Sequence, residues 1–215
     1  MNSIMLITGT GTEVGKTFVA AAMLRELQRR GITVAARKPA QSFDPSDLAP
    51  RDSDVLADAS GETTDAVCPS HRNYPIAMAP PMAADALQLP RIALQDLVAE
   101  LAPTSAEVTI VEGAGGLRSP IAHDGDALDL IAILHPCVVV IVADAGLGAI
   151  NAALLTVDAI AHRSTVAVVV MLNRFDADDA IHIANLAYLQ AHTAGSVVHS
   201  ITALCDNILN IHKGF

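Results

Sequence analysis

The chain has 215 residues, 52% of them hydrophobic and 17% charged, proportions that exclude an intrinsically disordered polypeptide. Aromatic residues make up only 3%, with no Trp, so the apolar share rests on Ala, Val, Ile and Leu, as in a parallel sheet covered on both faces by small-residue helices. Thirteen basic against 23 acidic residues give a net charge of −10, which argues against a nucleic-acid or anionic-membrane surface. Cys68, Cys137 and Cys205 lie far apart without a C-x-x-C pair and predict reduced thiols in a cytoplasmic protein. The longest apolar run, residues 138–143, is strand-length and far below the ~20 residues of a spanning helix, so a soluble chain is expected.

In chain order, residues 3–8 form a β-rich run that ends in a glycine cluster. Residues 17–30 place Phe18, Ala21, Ala22, Leu24 and Leu27 near helical spacing, with Gly31 where a C-cap belongs. A second short strand is predicted at 33–36. Residues 107–111, 137–143 and 166–172 are continuous apolar runs of buried parallel-strand character, with helical patterns at 149–162 and 178–192. A weaker strand is expected at 196–199 and a last helix at 202–211. Residues 39–90 differ: they hold eight of the 11 prolines and show little periodicity beyond a short helix near 52–59. Such a stretch within a compact domain is usually functional or disordered, and its Ala and Met content favours a segment facing a substrate or a second subunit. The pattern predicts a single α/β domain over residues 1–215: three layers, α/β/α, around a mainly parallel sheet, with ligands at the carboxyl ends of the strands.

Gly9-Thr10-Gly11-Thr12-Glu13-Val14-Gly15-Lys16-Thr17 follows the first strand and opens the first helix, the context a phosphate-binding loop requires. Its glycines let successive N–H groups turn inward, the helix N-terminus adds a favourable dipole, and Lys16 reaches the terminal phosphates. The Thr17 hydroxyl can hold Mg²⁺. Five residues separate Gly9 and Gly15, one more than in the regular motif. The loop predicts a nucleoside triphosphate site of P-loop NTPase type.

Glu112 ends a predicted strand and precedes Gly113-Ala114-Gly115-Gly116, where a metal-holding acid and close backbone approach to phosphate are expected. Lys38 ends the second strand before Pro39, which keeps the backbone extended and aims the lysine at the edge Lys16 faces. Asp54, in Arg51-Asp52-Ser53-Asp54, suits either a second metal carboxylate or a helix-capping acid. The eight histidines do not cluster.

Together with Ser42, Leu147-Gly148-Ala149-Ile150-Asn151 and Asn173, these motifs resemble dethiobiotin synthetase, in order and at similar separations from residue 4 to about residue 190. The resemblance implies ATP- and Mg²⁺-dependent ring closure of 7,8-diaminononanoate with CO₂, through a carbamate and a carbamic–phosphoric anhydride. It implies nucleotide binding by Thr12, Glu13, Val14, Gly15, Lys16, Thr17 and Phe18, and by Asp54, Glu112, Gly113, Ala114, Gly115 and Asn173, with Asn173 reading the base. Thr17, Asp54 and Glu112 would hold the metal, and Lys38 and Lys16 would be catalytic. Ser42 would meet the diamine. Gly148, Ala149, Ile150 and Asn151 would bind its carboxylate from the neighbouring subunit of a homodimer. Phe43 stands where the family has glycine, Pro81 where many members have histidine, and Leu117 where an aromatic is usual.

The alternative is a P-loop switch ATPase of the MinD/ParA-like class. Those proteins carry an extra loop lysine where Gly11 stands. Membrane-positioning members also end in a basic amphipathic helix, whereas residues 201–215 contain one Lys and no Arg.

Overall fold

Unbroken runs of β-branched residues form the middle of the sheet in a computed structural model, which describes residues 3–213. The first half of the chain contains β1 (Ser3–Gly9), α1 (Lys16–Arg29), β2 (Val34–Arg37), β3 (Gln41–Ser42) and α2 (Asp52–Ser60). It continues through α3 (Thr64–Val67), β4 (Asn73–Tyr74), α4 (Pro80–Ala86) and α5 (Leu94–Ala99). The second half runs β5 (Val108–Glu112), β6 (Pro120–Ala122), β7 (Gly125–Asp126), α6 (Ala127–Leu134), β8 (Val138–Asp144) and α7 (Ala149–Ala161). It ends with β9 (Ala167–Asn173), α8 (Ala180–His192), β10 (Ser196–Val198) and α9 (Ile201–Lys213).

Six strands form one parallel sheet in the order β10-β9-β8-β1-β5-β2. The order reverses direction at β1, so the loop after β1 lies at the switch point, where open α/β sheets bind ligands. The pleat sends alternate residues of β1 to opposite layers. Met5 and Ile7 join a core with Leu24 and Leu27 of α1, Leu56 of α2 and Leu204 of α9. Leu6 faces Leu128 of α6, Val157 of α7 and Leu189 of α8. This is the expected three-layer α/β/α architecture. Each fully buried leucine, such as Leu24 or Leu27, contributes about 1.5–3 kcal/mol over an exposed one. Among the described residues no helix is long and apolar enough to cross a membrane.

Residues 39–90 are more ordered than their composition predicts. β3 and β4 pair in parallel, and Ala40, Tyr74, Ala83 and Ala84 form a third apolar cluster with Ile92, Leu97 and Ile121. Proline hides this order from periodicity: Pro80 and Pro81 open α4, where their fixed φ and missing N–H cost nothing.

Candidate active site

The switch point opens into a cavity of about 1170 Å³ lined by the phosphate loop, the ends of β2 and β5, and parts of segments 41–54 and 77–80. Thr12, Glu13, Gly15, Lys16, Thr17, Lys38, Ser42, Asp54, Glu112, Ala114 and Gly115 all line it. Helix α1 begins with no side-chain cap and no acid in its first turn, and its first backbone bond runs from Val19 N–H to Gly15 O. The N–H groups of Lys16, Thr17 and Phe18 therefore stay available to an anion. Gly15 has φ 92°, and a Cβ there would sit 2.1 Å from Asn173 Nδ2, so the loop has no room for a side chain at this point. Gly116 also packs closely, though less so, since a Cβ would meet Gly11 Cα at 3.3 Å.

At the centre of the cavity lies a compact charge cluster. Thr17 Oγ1 is 2.8 Å from Asp52 Oδ1 and 2.9 Å from Glu112 Oε1. Lys38 Nζ is 2.7 Å from Asp52 Oδ2 and 2.6 Å from Glu112 Oε1, and it also donates to Gly113 O at 3.2 Å. Burial acts to depress the Lys38 ammonium, but Glu112 and Asp52 outweigh it and hold its pKa well above the usual value. Burial acts to raise the Asp52 carboxyl, but Lys38, Thr17 and Lys16 together outweigh it and hold the group below its usual range. Lys16 shifts down, chiefly through burial and then through repulsion by Lys38. Its Nζ donates to Gly11 O at 2.9 Å, folding the side chain over the loop.

Glu112 Oε2 is buried and has no hydrogen-bond partner among the described residues. An orphaned carboxylate oxygen beside Thr17 Oγ1 and an Asp52 oxygen forms a hard-oxygen set that fits Mg²⁺.

The structure redistributes several predicted roles. Asp54 lines the cavity but lies outside the Thr17 cluster. Its Oδ2 accepts from Arg51 N at 3.2 Å and from Arg51 Nε at 2.9 Å, and Thr64 Oγ1 lies 3.3 Å from Oδ1. Asp54 thus caps α2, and Asp52 occupies the place expected for it. Residues two apart on a helix point about 200° apart, so only one of the two acids can face Thr17. The alternation Asp-Ser-Asp was the available signal, but it does not say which. Gln41 carries no signal in the sequence: its side chain bonds Ser53 through both Nε2, to Oγ at 2.6 Å, and Oε1, from the backbone N at 2.9 Å, docking the α2 N-terminus on β3.

Asn173 is buried, and its Nδ2 donates to Val14 O at 3.0 Å, so the carboxamide braces the phosphate loop. Val14 and Gly113 contribute backbone carbonyls to this framework, while Phe18 is 66% exposed and outside the cavity wall. Gly148, Ala149, Ile150 and Asn151 begin α7 and do not line the cavity of their own chain. Arg174, with no sequence signal, joins the cavity wall.

A family model described as an AAA domain matches residues 4–206. The chain is 38% identical over 181 residues to the ATP-dependent dethiobiotin synthetase BioD of Caulobacter sp. (strain K31), covering 81% of this chain and 78% of the relative. The chain belongs to the dethiobiotin synthetase family. Solved structures agree on the fold alone. A cobyrinic acid a,c-diamide synthase from Mycobacterium smegmatis, with bound ATP analog and magnesium, matches at TM-score 0.56 and 16% identity over 99% of this chain and 96% of that one. The septum site-determining protein MinD from Pyrococcus horikoshii OT3 matches at TM-score 0.53 and 16% identity, covering 98% and 86%. Membership in the dethiobiotin synthetase family rests on sequence identity, whereas the MinD likeness reflects shared architecture.

Proposed function

We propose that the family's reaction, ATP-dependent synthesis of dethiobiotin, runs in this cavity, with the diamine and the triphosphate side by side. The observation that carries the reading is Lys38. It brings a second, buried cation to the Thr17–Glu112 pair from the end of β2, outside the phosphate loop, where the switch class has its extra lysine within the loop.

An amine of 7,8-diaminononanoate captures CO₂ as a carbamate. A carbamate oxygen attacks the γ-phosphorus and ADP departs, leaving a carbamic–phosphoric anhydride. The second amine attacks the carbonyl carbon, phosphate leaves, and the ureido ring closes. The loop N–H groups and Lys16 hold the phosphates in line, while Lys38 stabilises the negative charge of the carbamate and of the transferring phosphoryl group. Segments 41–44 and 77–80 wall the cavity, with Ser42 donating to Met78 O between them, and keep water from a labile anhydride. Thr17, Asp52 and Glu112 would hold Mg²⁺, whose chemistry there is to neutralise phosphate oxygens.

The working enzyme is a homodimer in this reading. Gly148, Ile150 and Asn151 offer backbone N–H groups with no partner among the described residues, away from their own cavity and beside Leu147 at 95% exposure and Leu155 at 62%. A partner subunit would receive them as the cradle for the diamine's carboxylate. Its ligands are small molecules, and a cytoplasmic setting suits its three free cysteines.

The test is turnover of ATP by the purified protein with and without the diamine, with dethiobiotin read by mass spectrometry. Diamine-dependent turnover and product are expected. Steady hydrolysis that ignores the diamine would overturn the reading in favour of a switch.

A further inference from the structure

Among the described residues, four other than glycine adopt a left-handed backbone: Glu13, Gln88, His135 and Arg174. Such conformations are uncommon outside glycine and ask for a local reason. Gln88 follows the end of α4 and His135 caps α6, so two of the four belong to helix termini. The other two touch each other. Arg174 Nη2 donates to Glu13 O at 2.8 Å, and Arg174 Nη1 pairs with Asp144 Oδ2 at 2.9 Å.

We propose that Arg174 is a positioning residue for the phosphate loop, held by Asp144 and acting through the Glu13 carbonyl. The proposal rests on the reading that this loop takes a nucleoside triphosphate. In a planar trans peptide the C=O and the following N–H point in opposite directions. Arg174 draws the Glu13 carbonyl outward and thereby turns Val14 N–H to the concave side. Asn173, the neighbouring residue, does the same one peptide later: its bond to Val14 O turns Gly15 N–H inward. Neither Val14 N–H nor Gly15 N–H has a partner among the described residues, so both remain available to phosphate oxygens. The end of β9 thus sets two successive donors of the lengthened loop.

The pairing with Asp144 is half exposed, 59% and 48% for the two side chains, and an ion pair of that kind stabilises little by itself. Its effect is geometric. Asp144 Oδ1 accepts from Gly146 N at 2.9 Å, which fixes the carboxylate, and the carboxylate fixes the plane of the guanidinium. A lysine, with a point charge on a flexible stem, lacks that fork. Glycine would suit the backbone at position 174 better than arginine, so the guanidinium is the reason for tolerating φ 56°.

Isothermal calorimetry with MgATP and no diamine, thermal unfolding, and the KM values for ATP and diamine are measured for R174G, R174A, D144N and the double variant R174A/D144N. Losing a hydrogen bond from a charged donor predicts about tenfold weaker ATP binding in R174G and R174A. The KM for ATP rises with it while the KM for the diamine stays within about twofold. R174G unfolds at or above the wild-type temperature, because relieved backbone strain opposes any loss of stability. D144N weakens ATP in the same direction, and the double variant is no worse than R174A alone, since both act through one contact. Unchanged ATP affinity in R174G overturns the proposal. So does tighter binding in D144N, which would mean that a freed guanidinium contacts phosphate directly, and so do equal losses for ATP and diamine. A wild type that binds ATP but makes no dethiobiotin would refute the reaction assigned to the cavity. The calorimetric test of Arg174 would still stand.

Discussion

Lys38→Ala removes the cation that joins two carboxylates, and its consequences can be worked out before and after ligand binding. Lys38 is 2% exposed and Glu112 fully buried, so the variant leaves Glu112 beside Asp52 without the cation that pairs with both, and only Lys16 remains as a buried counter-charge. Breaking a buried pair by deleting one partner costs about 3–5 kcal/mol. For a chain of this size each kcal/mol lowers the melting temperature by about 2–4 °C, so a fall of about 6–20 °C is expected in the free protein. The pH dependence has a definite sign. In the wild type the raised Lys38 pKa contributes stability fully below the unfolded lysine value of 10.5, and that stability is lost only as the pH rises through the folded value. Burial, and then Asp52, already raise the Glu112 pKa in the wild type against the pull of Lys38, and deleting Lys38 raises it further, so the variant gains more stability than the wild type as the pH falls. Removing one preorganised donor from developing charge also costs about 3–4 kcal/mol in the transition state, a loss of about 10²–10³ in kcat. Differential scanning calorimetry across pH 5–9 (about the range open to the assay) reads the first effect, and dethiobiotin formation at saturating ATP and diamine reads the second. A variant as stable as the wild type at every pH, or one that loses nucleotide affinity as much as turnover, would refute the reasoning and make Lys38 a simple binding residue.

Lys16→Ala is expected to abolish ATP-dependent product formation, because the backbone cradle loses its one mobile charge; wild-type rates in the same assay would refute the loop assignment. Asp52→Asn and Asp54→Asn separate two acids that sequence alone treats alike. Asp52→Asn should lower turnover at least about tenfold and raise the Mg²⁺ requirement, in the range seen when metal-site carboxylates are altered. Asp54→Asn should cost about 1 kcal/mol of stability through the α2 cap, with turnover retained, as read by a magnesium titration and a melt. The reverse pattern would restore Asp54 to the metal. Asn151→Ala should raise the KM for the diamine while the Kd for ATP holds, and light scattering should give a mass of two chains. A fully active monomer would remove the shared carboxylate site.

Much of this protein is legible in its sequence because the signals are local. A parallel strand buried on both faces must be apolar without interruption, so residues 107–111, 137–143 and 166–172 announce β5, β8 and β9 to within a residue or two. The phosphate loop is legible for the same reason: Gly9, Gly15, Lys16 and Thr17 stand within nine residues of the chain. Family membership follows from such motifs in order.

Apart from the helix expected near 52–59, residues 39–90 were not legible, since their order comes from pairing β3 with β4 and from burying Ala40, Tyr74 and Ala83 against Ile92, Leu97 and Ile121, none of which leaves a period in the chain. The choice of Asp52 over Asp54 depended on the rotation of one helix, set by Gln41 gripping Ser53 and by Asp54 taking the cap. The partnership of Arg174 with Glu13 spans 161 positions and exists only because the end of β9 lies beside the loop after β1 once β8 is inserted between them. By itself the sequence determined the sheet, the loop chemistry and the reaction class, since each is written in neighbouring residues. Tertiary structure alone decided which carboxylate meets the cation and which residues aim the loop, because those depend on helix rotation and strand order, through contacts between groups far apart in the chain.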